Sequence, residues 1–326
     1  MTPAPPDPDG RPWVGPQGAR TERLELHLSY RCPNRCRFCS EAHQLAQFGQ
    51  LSISLSQVKA VLRRHLARGV RSLHLTGGEP TVHPDFVEVV TLAKQLGMTT
   101  SVGTNGVMLC EQSFASQALP HLDEVMFSIH GPDAATHDAQ TRRAGSFDQV
   151  TAALTLARRL APGLDTFVNV VVTRHNVALL AETVALAAEL GASLIVVSNP
   201  TPEGRALDDY ADLVAPLAEL AELLPTIPAR AGGAIVRFFG LPMCILAAHE
   251  TLSNDLHWDP RVTVEWAQAP GKAVLTDVYT WSPGRKRRHA GPCEGCLKRT
   301  VCMGVFDRYD ELYSTEALRP ERREDR

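Results

Sequence analysis

The sequence predicts an α/β fold, a partial (β/α)6 TIM-like barrel followed by a small cysteine-rich C-terminal extension. Three observations predict it. From Leu24 onward, short runs of strand-forming apolar residues alternate with stretches of helical periodicity, six times over. After Pro200 that rhythm stops. Seven of the eight cysteines belong to two groups, one early and one late in the sequence. Strand–helix alternation specifies a parallel sheet with helices outside it, and six units fall short of the eight that close a full barrel.

The elements follow in order. Segment 1–20 is rich in Pro and Gly and has no apolar h-region, so it reads as a disordered tail rather than a signal peptide. Leu24–Leu28 is the first strand, and Leu55–Arg68 carries helical spacing. Ser72–Thr76 is a strand, and a helix begins near Pro84. Thr99–Thr104 and Glu124–Ile129 are the next strands, with the short helix Gln112–Ala118 between them. Phe147–Leu160 is a helix and Thr166–Val172 a strand. Ala178–Leu190 is a helix closed by Gly191, and Ser193–Val197 is the sixth strand. Beyond Pro200, Tyr210–Leu224 reads as one more helix and Ile235–Phe239 as a strand. The domain boundary is expected near Thr201–Gly204, with the barrel over 21–203 and the extension over 204–326.

Composition excludes some classes. A net charge of −3 gives no field that would draw the protein to nucleic acid or an acidic membrane. No apolar run approaches the roughly 20 residues that span a bilayer. Eight cysteines in 326 residues do not make a disulfide framework; their grouping suits metal binding in a reducing, cytoplasmic compartment.

In such barrels ligands sit at the carboxyl ends of the strands. The unusual residues fall there. Strand one is followed by Cys32, Cys36 and Cys39, strand two by Thr76-Gly77-Gly78-Glu79-Pro80, and strand three by Gly103-Thr104-Asn105-Gly106. Strand four ends at Ser128-Ile129-His130-Gly131, strand five carries Asn169 and leads to Arg174, and strand six ends in Asn199-Pro200-Thr201-Pro202. Three thiolates spaced C-x3-C-x2-C hold iron or zinc and leave one metal position without a protein ligand. Zinc would want a fourth ligand, for which His43 is near. Gly77-Gly78 and Thr104-Asn105-Gly106, taken singly, are also ordinary turn signals.

Taken together, these residues resemble the radical S-adenosylmethionine (SAM) enzymes. The resemblance rests on the cysteine spacing with Phe38 before the third cysteine, and on Gly-Gly-Glu-Pro after strand two. It extends through Phe127-Ser-Ile-His-Gly, Arg142 and Gly145-Ser-Phe147, and through Asn169-Val-Val-Val-Thr-Arg174-His-Asn176, covering roughly Arg23 to Pro202. It implies a [4Fe–4S] cluster on Cys32, Cys36 and Cys39 with one open iron that SAM chelates. It implies Gly77, Gly78 and Glu79 at the methionine amino group and Arg174 at the carboxylate. Thr104, Ser128 and Asn169 would bond the methionine or ribose part. Reductive cleavage of SAM would then yield a 5′-deoxyadenosyl radical that abstracts hydrogen from a substrate. An electron donor such as flavodoxin or ferredoxin is implied as partner.

Cys293-Glu-Gly-Cys296 followed by Cys302 is a second metal signal, with Cys244 the candidate fourth ligand. The spacing resembles part of the extensions called SPASM and twitch domains, which carry auxiliary clusters. A second [4Fe–4S] cluster is therefore expected, with a zinc knuckle as the alternative.

The remaining candidates are plainer. Cys110 is expected in core packing, and His27 and His74, which lie within strands, are expected to be packed as well. His130 follows a strand end and is a candidate pocket residue. Arg285-Lys-Arg-Arg-His289 reads as a solvated basic loop, with an acidic peptide or phosphate as the other option. Arg319–Arg326 mixes both signs and reads as disordered. With roughly 20 residues before strand one, neither a cobalamin-binding nor a winged-helix peptide-recognition domain is expected there. The C-terminal cysteine spacing departs from that of the molybdenum-cofactor cyclase, and no RNA-binding barrel follows. Maturation of a peptide or protein side chain is the leading expectation. The alternatives are modification of a small metabolite and, in another class, a non-catalytic iron–sulfur or zinc regulator.

Overall fold

The structure, a computed structural model, describes residues 19–323; the expected N-terminal tail lies almost wholly outside the described residues. The barrel begins with β1 (Arg23–Ser29), α1 (Ala42–Phe48), α2 (Leu55–Ala67), β2 (Ser72–Gly77), α3 (Phe86–Gln95) and β3 (Thr99–Thr104). It continues with α4 (Gln112–Ala118), β4 (Glu124–Ser128), α5 (Ala134–Thr141), α6 (Ser146–Leu160), β5 (Asp165–Val171), α7 (Leu180–Glu189) and β6 (Leu194–Ser198). All six expected strands are present, each within a residue of its expected start.

Period-two alternation decides the two faces of the sheet. In β1, Leu24, Leu26 and Leu28 are fully buried and join the helices in one apolar core. The intervening residues of the strands turn to the barrel lumen, where they are mostly polar. Each helix supplies the matching stripe: α2 buries Val58, Val61, Leu62 and His65, spaced one turn apart. Its start is fixed by a capping box, in which Ser54 Oγ accepts from Gln57 N and Gln57 Oε1 accepts from Ser54 N at 2.9 Å.

The sheet runs on past the expected boundary. β7 (Ile235–Phe239) pairs parallel with β6, and β8 (Arg261–Ala269) pairs parallel with β1. β9 (Lys272–Thr280) returns antiparallel along β8. The order is β7-β6-β5-β4-β3-β2-β1-β8-β9, an open sheet with β7 and β9 at its edges. Between β6 and β7 lie α8 (Gly204–Asp208), α9 (Tyr210–Leu213) and α10 (Leu217–Leu223). The single helix expected over Tyr210–Leu224 is thus two. The break falls at Val214 and Pro216, with ψ of 134° and 137°, where Pro216 has no amide to continue the donor ladder and restricts Ala215 before it.

The cysteine-rich extension holds a small hairpin, β10 (Arg287–Arg288) with β11 (Val305–Phe306), and then α11 (Asp307–Leu312). The basic run is not a solvated loop. Arg285 pairs with Glu203 at 2.7 Å, Arg288 with Asp310 at 2.7 Å, and His289 Nε2 lies 2.8 Å from the Cys302 carbonyl. Arg287 and Asp255 form an ion pair at 2.6 Å with both side chains 1% exposed. Arg287 also donates to the carbonyls of Leu241 and Gly304, and the other Asp255 oxygen accepts from Met303 N at 3.1 Å. The described part of the tail, expected to be disordered, packs on the extension: Leu297 N donates to the Glu321 carbonyl at 3.0 Å, and Lys298 pairs with Glu321 at 2.9 Å.

Asp255→Asn leaves a buried guanidinium without its counter-charge. It is expected to destabilise the protein by about 3–5 kcal/mol, read by urea unfolding against the unaltered protein.

Candidate functional site

The cysteine loop is placed by close backbone contacts. After β2 the backbone lies against the segment leaving β1: Gly78 N donates to the Ser29 carbonyl at 2.7 Å and Glu79 N to the Arg31 carbonyl at 2.8 Å. Only glycine fits there. A Cβ on Gly77, whose φ is +111°, would stand 2.7 Å from Ser29 O, and one on Gly78 would stand 2.5 Å from Arg31 O. On another side the end of α5 accepts from the loop, Arg35 N to Thr141 O and Arg37 N to Gln140 O, both 2.9 Å.

A third clamp comes from α8, a contact that sequence reasoning did not identify. Arg205 N donates to the Cys39 carbonyl at 3.0 Å and Arg205 Nη1 to the Cys36 carbonyl at 2.7 Å. Gly204, at φ +54°, leaves no space for a side chain: its Cβ would be 2.4 Å from Ser40 O. The Gly204–Arg205 pair follows the last expected barrel strand, and neither residue type signals a loop clamp by itself.

Cys32, Cys36 and Cys39 line one cavity of about 380 Å³ at the carboxyl ends of the strands. Gly77, Gly78, Glu79, Thr104, Ser128 and Asn169 line it too, so the structure brings nearly all the expected site residues together. Burial and the nearby Glu79 charge push the Cys32 thiol up to about 12, while burial and the two neighbouring sulfurs push Cys36 higher still. Three such groups do not ionise together unless a cation takes their charge. This donor set fits a [4Fe–4S] cluster held by Cys32, Cys36 and Cys39.

Glu79 is 1% exposed and largely engaged within the protein. Its Oε1 accepts from Thr81 N, Thr81 Oγ1 and Thr104 Oγ1, the last at 2.8 Å, and its Oε2 accepts from Asn105 N at 2.7 Å. Burial raises its pKa against these bonds. Thr104 therefore donates its proton to Glu79 rather than into the cavity. Asn169 Oδ1 accepts from Ser198 Oγ at 2.6 Å, which leaves its amide hydrogens for a ligand.

Arg174 departs from expectation. It does not line the cavity; its Nε donates to the Val214 carbonyl at 2.9 Å and its guanidinium lies 5.7 Å from the centre of the Tyr313 ring. The loop after β5 directs the side chain toward the C-terminal segment. His43, the alternative zinc ligand, also turns away, with Nε2 2.9 Å from Asp208 Oδ2.

His130 does line the cavity, its ring edge-on to Phe38 at 4.5 Å between centroids. Burial pushes its pKa well down, and Nδ1 accepts from Val171 N at 3.2 Å, so the ring is neutral. Two further lining residues carried no sequence-based role. Asn199 is 4% exposed, and its Oδ1 has no hydrogen-bond partner. Glu41 is raised to about 7 by burial, with Glu265 and Glu203 alongside. Only their place on the rim, beside the third cysteine and at the end of strand six, could have marked them.

The late cysteines meet at a separate small cavity, lined by Cys244, Cys293, Cys296 and Cys302. Cys302 Sγ accepts from Met243 N and Gly304 N, both 3.4 Å. Burial, with the other three thiols near, lifts Cys244 to about 11. Among the described residues no group of three His, Cys, Asp or Glu side chains is set to hold a single metal ion. Cys110 lies apart from both cavities, its thiol donating to the Val107 carbonyl at 3.3 Å.

Residues 26–213, more than half of the protein, match the family model described as the radical SAM superfamily. The chain belongs to the radical SAM superfamily. This radical SAM protein is 33% identical over 204 residues to the PqqA peptide cyclase of Rhodopseudomonas palustris, covering 63% of its own length and 53% of that protein. It is 35% identical over 191 residues to the mycofactocin maturase MftC of Mycobacterium tuberculosis, covering 58% and 47%. It thus spans about half the length of these curated relatives. Among solved structures, native anSMEcpe with bound AdoMet superposes with a TM-score of 0.64 at 15% identity, covering 92% of this protein and 93% of that one. Streptococcus suis SuiB bound to S-adenosylmethionine gives 0.61 at 16% identity, covering 92% and 77%. At such identities the likeness is one of fold. No helix among the described residues is long and apolar enough to cross a membrane.

The α8 clamp gives a direct test. Gly204→Ala is expected to destabilise the protein by about 1–3 kcal/mol, because strain at positive φ adds to the clash with Ser40. Thermal unfolding would show the loss, and a neutral result would mean that the cysteine loop moves freely against α8.

Proposed function

We propose that this protein is an enzyme that cleaves SAM reductively and modifies a peptide or protein side chain. The observation that carries the reading is the meeting of three half-buried thiols with Gly77, Gly78 and Glu79 on one cavity wall, in a member of this superfamily. The similarity to a peptide cyclase and a maturase supports a peptide substrate. When bound, a [4Fe–4S] cluster with one open iron and SAM supply a 5′-deoxyadenosyl radical that takes hydrogen from the substrate.

The protein's own residues hold and orient. Cys32, Cys36 and Cys39 hold the cluster, and Arg205 fixes the carbonyls of two of them. Gly77 and Gly78 expose backbone at the wall, and Glu79 Oε2, with one protein donor, accepts one more from the SAM amino group. Ser128 and the Asn169 amide bond the methionine or ribose part, while Thr104 positions Glu79. Neutral His130 and Phe38 close the wall against water.

Cys244, Cys293, Cys296 and Cys302 would hold an auxiliary [4Fe–4S] cluster, closed by four thiolates and serving structure or electron transfer. The four thiols line one small cavity, which supports a shared metal site there, and the C-x2-C-x5-C spacing favours the cluster over zinc. A cytoplasmic setting keeps such thiols reduced and offers a donor such as flavodoxin or ferredoxin.

Anaerobic reconstitution with iron and sulfide, reduction by dithionite and assay for 5′-deoxyadenosine tests the activity. The unaltered protein is expected to form it and Cys36→Ala to fall to background; an iron-loaded, reduced protein that forms none overturns the reading. Iron content tests the auxiliary site separately. About eight iron per molecule is expected, falling to about four when Cys32, Cys36 and Cys39 are all replaced by Ala. About four iron and one zinc in the unaltered protein would assign zinc instead.

A further inference from the structure

Below the cysteine cavity the lumen opens into a larger one of about 700 Å³. The two share His74, Met126, Asn169, Ser198 and Phe239, so they adjoin. Met126, Phe167, Val196 and Phe239 give the larger cavity apolar walls. Its charged residues are unevenly answered. Arg23 lies 3.6 Å from Asp259, and Arg261 pairs with Glu25 at 2.6 Å. Arg237, in the middle of β7, forms no ion pair among the described residues. Its one side-chain hydrogen bond there goes to the carbonyl of its neighbour Val236 at 3.2 Å.

Strand register ties it to the upper wall. Arg237 pairs with Val196, Val196 with Asn169, and Asn169 with Ser128, so its strand position is linked through the ladder to two residues that line the cysteine cavity. Glu124, Asp165 and Asp259 also line the larger cavity, and among the described residues none of them forms an ion pair with Arg237. A guanidinium offers five donors in a planar fork that matches a carboxylate, and a half-buried cation is unfavourable until an anion meets it.

We propose that Arg237 binds a carboxylate of the substrate, carried on an apolar or aromatic stem that lies along the lumen wall. Either an acidic side chain or the C-terminus of a peptide supplies that chemistry. This rests on the reading of the protein as a peptide-modifying enzyme and names what the peptide must carry. The carboxylate anchors one end of the substrate at β7, and the stem between anchor and cofactor is then held at fixed reach from the cysteine cavity.

Equilibrium dialysis of the reconstituted, unreduced protein with SAM present tests the site without requiring turnover. N-acetylphenylalanine and its amide probe a terminal carboxylate; N-acetylglutamic acid α-amide and N-acetylglutamine amide probe a side-chain one. At least one acid is expected to bind roughly tenfold or more tighter than its amide, and Arg237→Gln is expected to remove that difference. The pair that shows the preference names the source. Equal or absent binding of acid and amide in both pairs overturns the proposal, and so does a preference that survives in Arg237→Gln. The comparison on the unaltered protein decides the matter if that variant does not fold. Selective binding without 5′-deoxyadenosine formation would overturn the catalytic reading alone.

Discussion

The structure depends on keeping three half-buried thiols together in one loop on the cavity rim. Thiols in that setting resist ionisation, and their sulfurs repel one another once ionised, so the loop has little local reason to adopt its course. It is held from outside on three fronts. Gly77 and Gly78 press backbone against its entry, the end of α5 takes the amides of Arg35 and Arg37, and Arg205 takes the carbonyls of Cys36 and Cys39. Gly77, Gly78 and Gly204 meet backbone closely enough that even a methyl group would collide. The glycines of this site serve packing first, whatever they later offer a ligand.

The same doubling of roles applies to Glu79. A carboxylate at the strand-two loop could be read as a ligand group alone, yet it gathers Thr81, Thr104 and Asn105 and so ties the loops of β2 and β3 together. Its engagement makes its position rigid, and rigidity is what a remaining acceptor needs if it is to orient a small cofactor. Thr104 is then a positioning residue that acts through Glu79.

Much of this was legible in the sequence, and the rest failed for identifiable physical reasons. The six strands and the cysteine groups are local signals: apolar alternation and spacing are complete within a few residues. Pairing of β8 with β1 is not local, since Arg261 and Glu25 are far apart in sequence, and nothing in either strand names the other. The basic run failed in the same way, because Asp255, Glu203 and Asp310 lie in other segments. Arg174 failed differently. Resemblance fixes a position along the sequence but not the direction of a long side chain, and here Val214 and Tyr313 offer the guanidinium partners away from the cavity. Pro216, by contrast, carries its helix-breaking signal openly.

The division of labour between the two faces of the sheet connects these points. The outer residues of the strands pack with the helices in one apolar core. The inner residues are thereby released from packing, and polar groups such as Asn169, Ser198 and Arg237 stand there without weakening that core. Among the described residues Arg237, in the middle of its strand, has no ion-pair partner in the acids that share its cavity. A barrel whose helices pack on the outer face of the sheet and whose lumen keeps such a charge suits a ligand of opposite charge, and that complementarity is the ground for the proposed carboxylate contact.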